Sequence, residues 1–145
     1  MKYSGSIEIE KPVELVTRLF TDPEGMKEYQ DGFIKKELLS GREGNEGAIS
    51  KMYYQYGKRD MILTETIVSN NLPDSFEATY HHKHMDNTFK CSLIELNENR
   101  TRYEYAYEYT RMSLIPRIMG ILFPKMYRQQ GEKWMKQFKE FVERQ

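Results

Sequence analysis

The sequence predicts an α+β domain in which helices cover one face of an antiparallel sheet. Period-two alternation of apolar and polar residues recurs in stretch after stretch between Phe33 and Tyr109. Short turn signals separate those stretches, and strands joined by such short links pair antiparallel. The chain then ends in an apolar stripe at helical spacing, which must lie on the sheet.

The opening stretch "YSGSIEIEK" alternates Ile7 and Ile9 against Ser6, Glu8 and Glu10, the pattern of a strand that Pro12 ends. In "PVELVTRLF" Val13, Val16, Leu19 and Phe20 fall at helical intervals behind a proline suited to a first turn. A second short helix follows in "TDPEGMKEYQDG", capped by Asp22, led by Pro23 and closed by Asp31-Gly32. About six strands are expected from Phe33 onward. Their turns are placed at "GREGNEG", Gly57-Lys58, Asn70 to Asp74, Met85 to Asn87 and Asn97 to Arg100. In the closing "KMYRQQGEKWMKQFKEFVERQ", Tyr127, Trp134, Phe138, Phe141 and Val142 oppose Lys133, Lys136, Lys139 and Glu140. Trp134, the only tryptophan, is expected to be largely buried on the sheet side.

The 145 residues suit one domain, 1–145, able to bury about two-thirds of its unfolded surface. Lys+Arg 22 balance Asp+Glu 22, so no global field draws in nucleic acid or an anionic surface. Lys35-Lys36 is too short for a nucleic-acid patch and is expected on a solvated face. Cys91 stands alone, which rules out a disulfide framework. "MKYSGSIEIE" lacks the apolar run of a secretory signal, and a cytoplasmic location is expected. No stretch reaches the roughly 18 apolar residues of a membrane span, so no stable membrane insertion is expected.

In "RYEYAYEYTR", Tyr103, Tyr105, Tyr107 and Tyr109 share one face, with Glu104, Ala106 and Glu108 on the other. Two explanations stand open: a half-exposed sheet using tyrosine for strand propensity, or a cavity wall with apolar rings and hydrogen-bonding tips. The same alternation turns Ala48, Ser50, Met52, Tyr54 and Tyr56 inward, then Phe76, Ala78, Tyr80 and His82, then Phe89, Cys91 and Leu93. For residues 61–69 two registers compete; the favoured one points Leu63, Glu65 and Ile67 inward. Glu65 is then either a proton acceptor among tyrosines or a carboxylate bonded for structure. "HHKHMD" holds the metal-type residues, but His81 and His82 point to opposite faces and no fourth ligand is apparent, so no metal is expected. Cys91 lacks an adjacent base and reads as an inert thiol. "GREGNEG" does not precede a helix, which removes a phosphate loop; no cofactor is expected. In 112–126, Leu114, Ile115, Ile118, Met119, Ile121, Leu122, Phe123 and Met126 exceed one helix stripe, while Pro116, Gly120 and Pro124 predict an irregular path. That segment suits packing against the short helices, a mobile gate, or a patch for a partner or membrane surface.

The stretches "IEIEKPVELVTRLFTDPEGMKEY" and "NNLPDSFEATY" resemble the START-like or helix-grip superfamily, which includes polyketide cyclases, Bet v 1-type proteins and START lipid carriers. Tyr29 stands where many members carry tryptophan. The resemblance covers essentially the whole chain and implies a curved antiparallel sheet of about six to seven strands gripping the C-terminal helix, with a cavity between them. It implies an apolar or aromatic ligand, lipid-like or polyketide-like. The expected wall comprises Met52 and Tyr54, Leu63 and Glu65, Tyr80 and His82, Phe89, then Tyr103, Tyr105 and Tyr107, with Met119, Phe123 and Tyr127 from the C-terminal part. Non-catalytic binding is favoured. A cyclase or dehydratase would need Glu65 and His82 to converge, and a protein-interaction module would show an exposed apolar patch at 114–123.

Overall fold

Strand β1 (Lys2–Ile9) buries Tyr3 and Ile9 and exposes Lys2, Ser4, Ser6 and Glu8, as its alternation dictates. The computed structural model describes every residue, Met1 to Gln145. Helix α1 (Val13–Phe20) begins behind Pro12, whose extended backbone and fixed φ suit the helix start, and it buries Val13 and Val16. The Asp22 carboxylate accepts the Glu24 backbone N–H at 3.0 Å and starts a 3-10 turn that runs into α2 (Met26–Tyr29). Gly32, at φ 76°, then turns the chain into the sheet.

Six strands follow: β2 (Phe33–Ser40), β3 (Ile49–Tyr56), β4 (Arg59–Asn71), β5 (Ser75–His82), β6 (Met85–Asn97) and β7 (Arg100–Met112). With β1 they form one seven-stranded sheet in the order β1-β7-β6-β5-β4-β3-β2, antiparallel at every step. Bulges interrupt the registers in β2, between Ile67 and Ser69, and near both ends of the β6–β7 pair, and each bends its strand. Helix α3 (Leu114–Leu122) leads to α4 (Met126–Glu143), which packs on β1 and against α1 and α2.

The core fills the space between the inner face of the sheet and these helices. Phe20 meets Phe76, Phe138 and Tyr103 edge-on at 5.3, 6.0 and 6.1 Å, while Tyr29 lies 5.0 Å from Phe138 and 5.3 Å from Phe141. Such tilted contacts suit the ring quadrupoles. The inward sets hold for Ala48, Ser50, Met52, Tyr54, Phe76, Ala78, Phe89, Cys91 and Leu93, all buried, and for Glu65 and Ile67, whose neighbours Ile62 and Val68 are exposed.

Several expectations need correction. The turn placed at Met85–Asn87 lies at Lys83-His84, because His82 pairs with Met85 and the two polar residues between them make the link. Tyr56 is exposed, its ring against Gly32. Lys36 is not on a solvated face: the bulge after Phe33 shifts the register so that both Phe33 and Lys36 pair with inward residues, Tyr54 and Met52. Trp134 is only half-buried, at the flank of a stripe formed by Gly131, Met135, Phe138, Phe141 and Val142. Gly131 sets that rotation, since a Cβ there would stand 2.7 Å from the Tyr3 ring. The glycine lets α4 settle directly on β1. Residues 114–122 form a regular helix with Pro116 in its first turn, and the irregular path is confined to the link before α4.

Candidate functional site on the inner face of the sheet

Four neighbouring strands bring a polar cluster onto an otherwise aromatic face. Glu65 of β4 is paired in register with Ser50 of β3 on one side and Tyr80 of β5 on the other. Its carboxylate accepts the Tyr80 hydroxyl at 2.7 Å and meets the Lys36 ammonium at 2.9 Å. Lys36 also reaches Glu43 at 2.8 Å, from the loop between β2 and β3. Burial pulls the Lys36 ammonium down, but the Glu65 and Glu43 carboxylates outweigh it and leave its pKa above the usual lysine value. Burial, reinforced by the Glu65 carboxylate, pushes Tyr80 well above the ordinary phenol range. The phenol therefore stays protonated and donates.

The aromatic part of the face runs beside this cluster. Tyr103, Tyr105 and Tyr107 are all buried and face inward, and Phe89 lies 4.9 Å from Tyr107 between them and β5. Tyr3 stacks on Tyr107 at 5.0 Å, and Tyr109 continues the series to Tyr127 of α4, also at 5.0 Å. Tyr54 donates its hydroxyl to Gln30 at 2.6 Å, and Tyr127 donates to the Pro116 carbonyl at 3.1 Å. No protein group hydrogen-bonds the hydroxyl of Tyr105 or Tyr107. Burial raises the pKa of both. Tyr105 fits because its partner on β1 is Gly5, where a Cβ would stand 2.5 Å from the phenol oxygen.

The remaining expected residues divide by position. Met52 is buried on this face and Leu63 is half-buried on it. His82 sits at the strand end, its Nδ1 accepting the His84 backbone N–H at 3.2 Å. Desolvation, with the nearby His84, Lys83, His81 and Arg111, holds its pKa below the usual imidazole value. His82 does not join Glu65, whose oxygens are held by Lys36 and Tyr80. His81 instead meets Asp86 at 2.5 Å, which Arg111 also grips at 2.8 Å. No three metal-type side chains converge. Cys91, buried, has its thiol pushed up to about 12 by burial, so it is no nucleophile at neutral pH. Met119 is half-buried and Phe123 exposed on the α3 side of the molecule, where they border a depression of about 640 Å³ with Leu122 and Met126. A second depression, of about 590 Å³, lies on the outer sheet face between Ser4, Ser6, Lys90, Ser92, Glu104 and Ala106.

Lys36, Gln30 and Gly5 were missed as site residues. A signal existed for Lys36: an inward Glu65 demands a cation, and β2 supplies the only lysine that the bulge turns toward it.

No protein-family model matches the sequence, and no curated protein matches it either. Solved structures match its fold over nearly the whole chain. The Zhui aromatase/cyclase from Streptomyces sp. R1128 superposes with a TM-score of 0.80 at 11% identity, covering 99% of this chain and 94% of that one. A START superfamily protein from Mycobacterium smegmatis gives 0.80 at 12% identity, with 99% and 97% covered. Ara h 8.0201 gives 0.74 at 11% identity, with 98% and 97% covered. The chain thus has the START and Bet v 1-like helix-grip fold, the class that its sequence motifs resemble. No helix is long and apolar enough to cross a membrane.

Proposed function

We propose that this protein binds an apolar or aromatic small molecule, lipid-like or polyketide-like, between the sheet and α4, without covalent catalysis. The observation that carries the proposal is the inward phenol of Tyr107, a buried residue whose hydroxyl makes no hydrogen bond within the protein. Buried hydroxyls are nearly always paired, so an open one is a place for a ligand oxygen or water. Tyr80 supports it: the phenol is strongly desolvated by surrounding protein, yet the residue keeps accessible surface, as a wall of an internal space would. Half-buried inward residues Phe33, Met61, Leu63 and Trp134 extend the accessible apolar lining. The free thiol suits a reducing, cytoplasmic setting.

Mass spectrometry of small molecules that co-purify with the protein identifies the ligand class. Tyr107→Phe is expected to keep the melting temperature while weakening a bound hydroxyl- or carbonyl-bearing probe by about 0.5–1.5 kcal/mol. Unchanged affinity together with a clear loss of stability would sink the binding role of that phenol.

A second reading, a cyclase or dehydratase on a poly-carbonyl substrate, draws on the Tyr80–Glu65 hydrogen bond, an acid and a base 2.7 Å apart. Under it, Glu65→Gln abolishes turnover and leaves binding intact. The carboxylate is already occupied by Lys36, and His82 stands apart from it, so binding is the better-supported function.

A further inference from the structure

Helix α3 turns its apolar side to water. Leu114, Ile115, Ile118, Ile121 and Leu122 are exposed by 67, 74, 42, 74 and 64%. At 100° per residue these five occupy a continuous arc of about 120°. The opposite side, Pro116, Met119 and Gly120, is partly covered: the Tyr127 ring and Met1 lie against Gly120, and the Tyr127 hydroxyl holds the Pro116 carbonyl. The helix is thus fixed with its large aliphatic side chains outward, the reverse of an ordinary surface helix. Phe123, 55% exposed, extends the patch to the corner with α4. A contiguous patch of this kind marks an interaction surface.

Its charges narrow the partner. From Ser113 to Gly131 the chain contains Arg117, Lys125 and Arg128 and no Asp or Glu. Arg111, just before, is neutralised by Asp86, whereas these three cations make no ion pair within the chain. A second copy docking through this patch about a two-fold axis would bring Arg117 and Lys125 against their own copies, and the nearest carboxylate along the chain after them, Glu132, lies a turn beyond Arg128 on α4. An anionic lipid surface satisfies both features, since headgroup phosphates pair the cations and the acyl boundary receives the aliphatic arc. A helix of nine residues is about 14 Å long, too short to span, and so it lies in the plane of the interface.

We propose that α3 and the α3–α4 corner dock this protein onto an anionic membrane surface, with Ile115, Ile121 and Leu122 in the acyl boundary and Arg117, Lys125 and Arg128 at the headgroups. The docking does not depend on what the inner face of the sheet binds.

The test is co-sedimentation with vesicles of phosphatidylcholine alone and of phosphatidylcholine mixed with phosphatidylglycerol. Binding is expected to the mixed vesicles, to grow with the anionic fraction and to weaken as salt is raised. Ile115→Ser with Leu122→Ser lowers partitioning at least tenfold, and each of Arg117→Gln, Lys125→Gln and Arg128→Gln lowers it about fivefold. All five positions are exposed, so thermal melts of these variants match the parent and separate loss of docking from loss of fold. Absence of binding to the mixed vesicles overturns the proposal, as does equal binding to uncharged ones. A concentration-dependent dimer in sedimentation velocity that the Ile115→Ser and Leu122→Ser pair dissolves, without vesicle binding, assigns the patch to a second copy instead.

Discussion

Lys36 and Glu65 face each other at 2.9 Å with 10% and 7% of their side chains exposed, so both are largely withdrawn from water. Withdrawal costs several kcal/mol per ion, which only close pairing and further hydrogen bonds offset. Tyr80 and Glu43 supply those. Lys36→Met strips Glu65 of its cation and is expected to destabilise the fold by about 3–5 kcal/mol in denaturant melts. Adding Glu65→Leu removes the stranded carboxylate and should recover most of that loss. A single-variant loss under about 1 kcal/mol would mean that water screens the pair as it does at a surface. The sequence revealed one half of this cluster. Strand alternation put Glu65 and Tyr80 inward, whereas Lys36 depends on a bulge in "FIKKELLS", a stretch without glycine or proline to announce it.

At the scale of elements, the contact between α4 and β1 rests on a missing side chain. A Cβ on Gly131 would lie 2.7 Å from Tyr3 Cε2 and 2.9 Å from its Oη, and Tyr3 is itself stacked on Tyr107 and has little room to yield. Gly131→Ala gains up to about 1 kcal/mol of helix propensity. The overpacking it causes costs about 1–3 kcal/mol. The net expectation is a destabilised protein, by about 1 kcal/mol in thermal or denaturant melts; a stabilised variant would show that α4 can lift from β1 at no cost. The apolar stripe of α4 was legible as a stripe, but its rotation was not. Counting aromatics put Trp134 within the buried stripe, while the close approach at a glycine, invisible to a search for large apolar residues, runs it through Gly131, Met135 and Phe138 and leaves Trp134 at the flank. The reverse holds for α3, where the excess of aliphatic residues was plain in the sequence and only the structure shows that they face water.

Over the whole molecule, the order from β2 to β7 follows from short antiparallel links that alternation and turn signals made legible, whereas the return of β1 to pair with β7 left no local signal. How α4 seats on the sheet was not legible, because it depends on bulges and on the close approach at Gly131 rather than on periodicity. The tyrosine content of the interior carries a consequence at high pH. Burial raises the phenols of Tyr54, Tyr80, Tyr103 and Tyr107 above their ordinary value of 10.0, so the folded state keeps them protonated after an unfolded chain would have released its protons. For groups raised on folding, the stabilisation is complete below the unfolded pKa and is lost as pH climbs from there toward the folded pKa. Lys36, also raised, loses its contribution in the same direction, above its ordinary 10.5. Each such phenol removes about 1.4 kcal/mol per pH unit once the unfolded form ionises. Four of them acting together erode a typical stability of about 5–15 kcal/mol as the pH climbs past 10. Raising the pH beyond 10 should therefore produce one cooperative step in which tyrosinate absorbance of the buried set appears together with loss of the far-ultraviolet circular dichroism. Smooth ionisation of all eleven tyrosines near pH 10 with the dichroism intact would instead mean that water reaches the inner phenols freely in the folded protein.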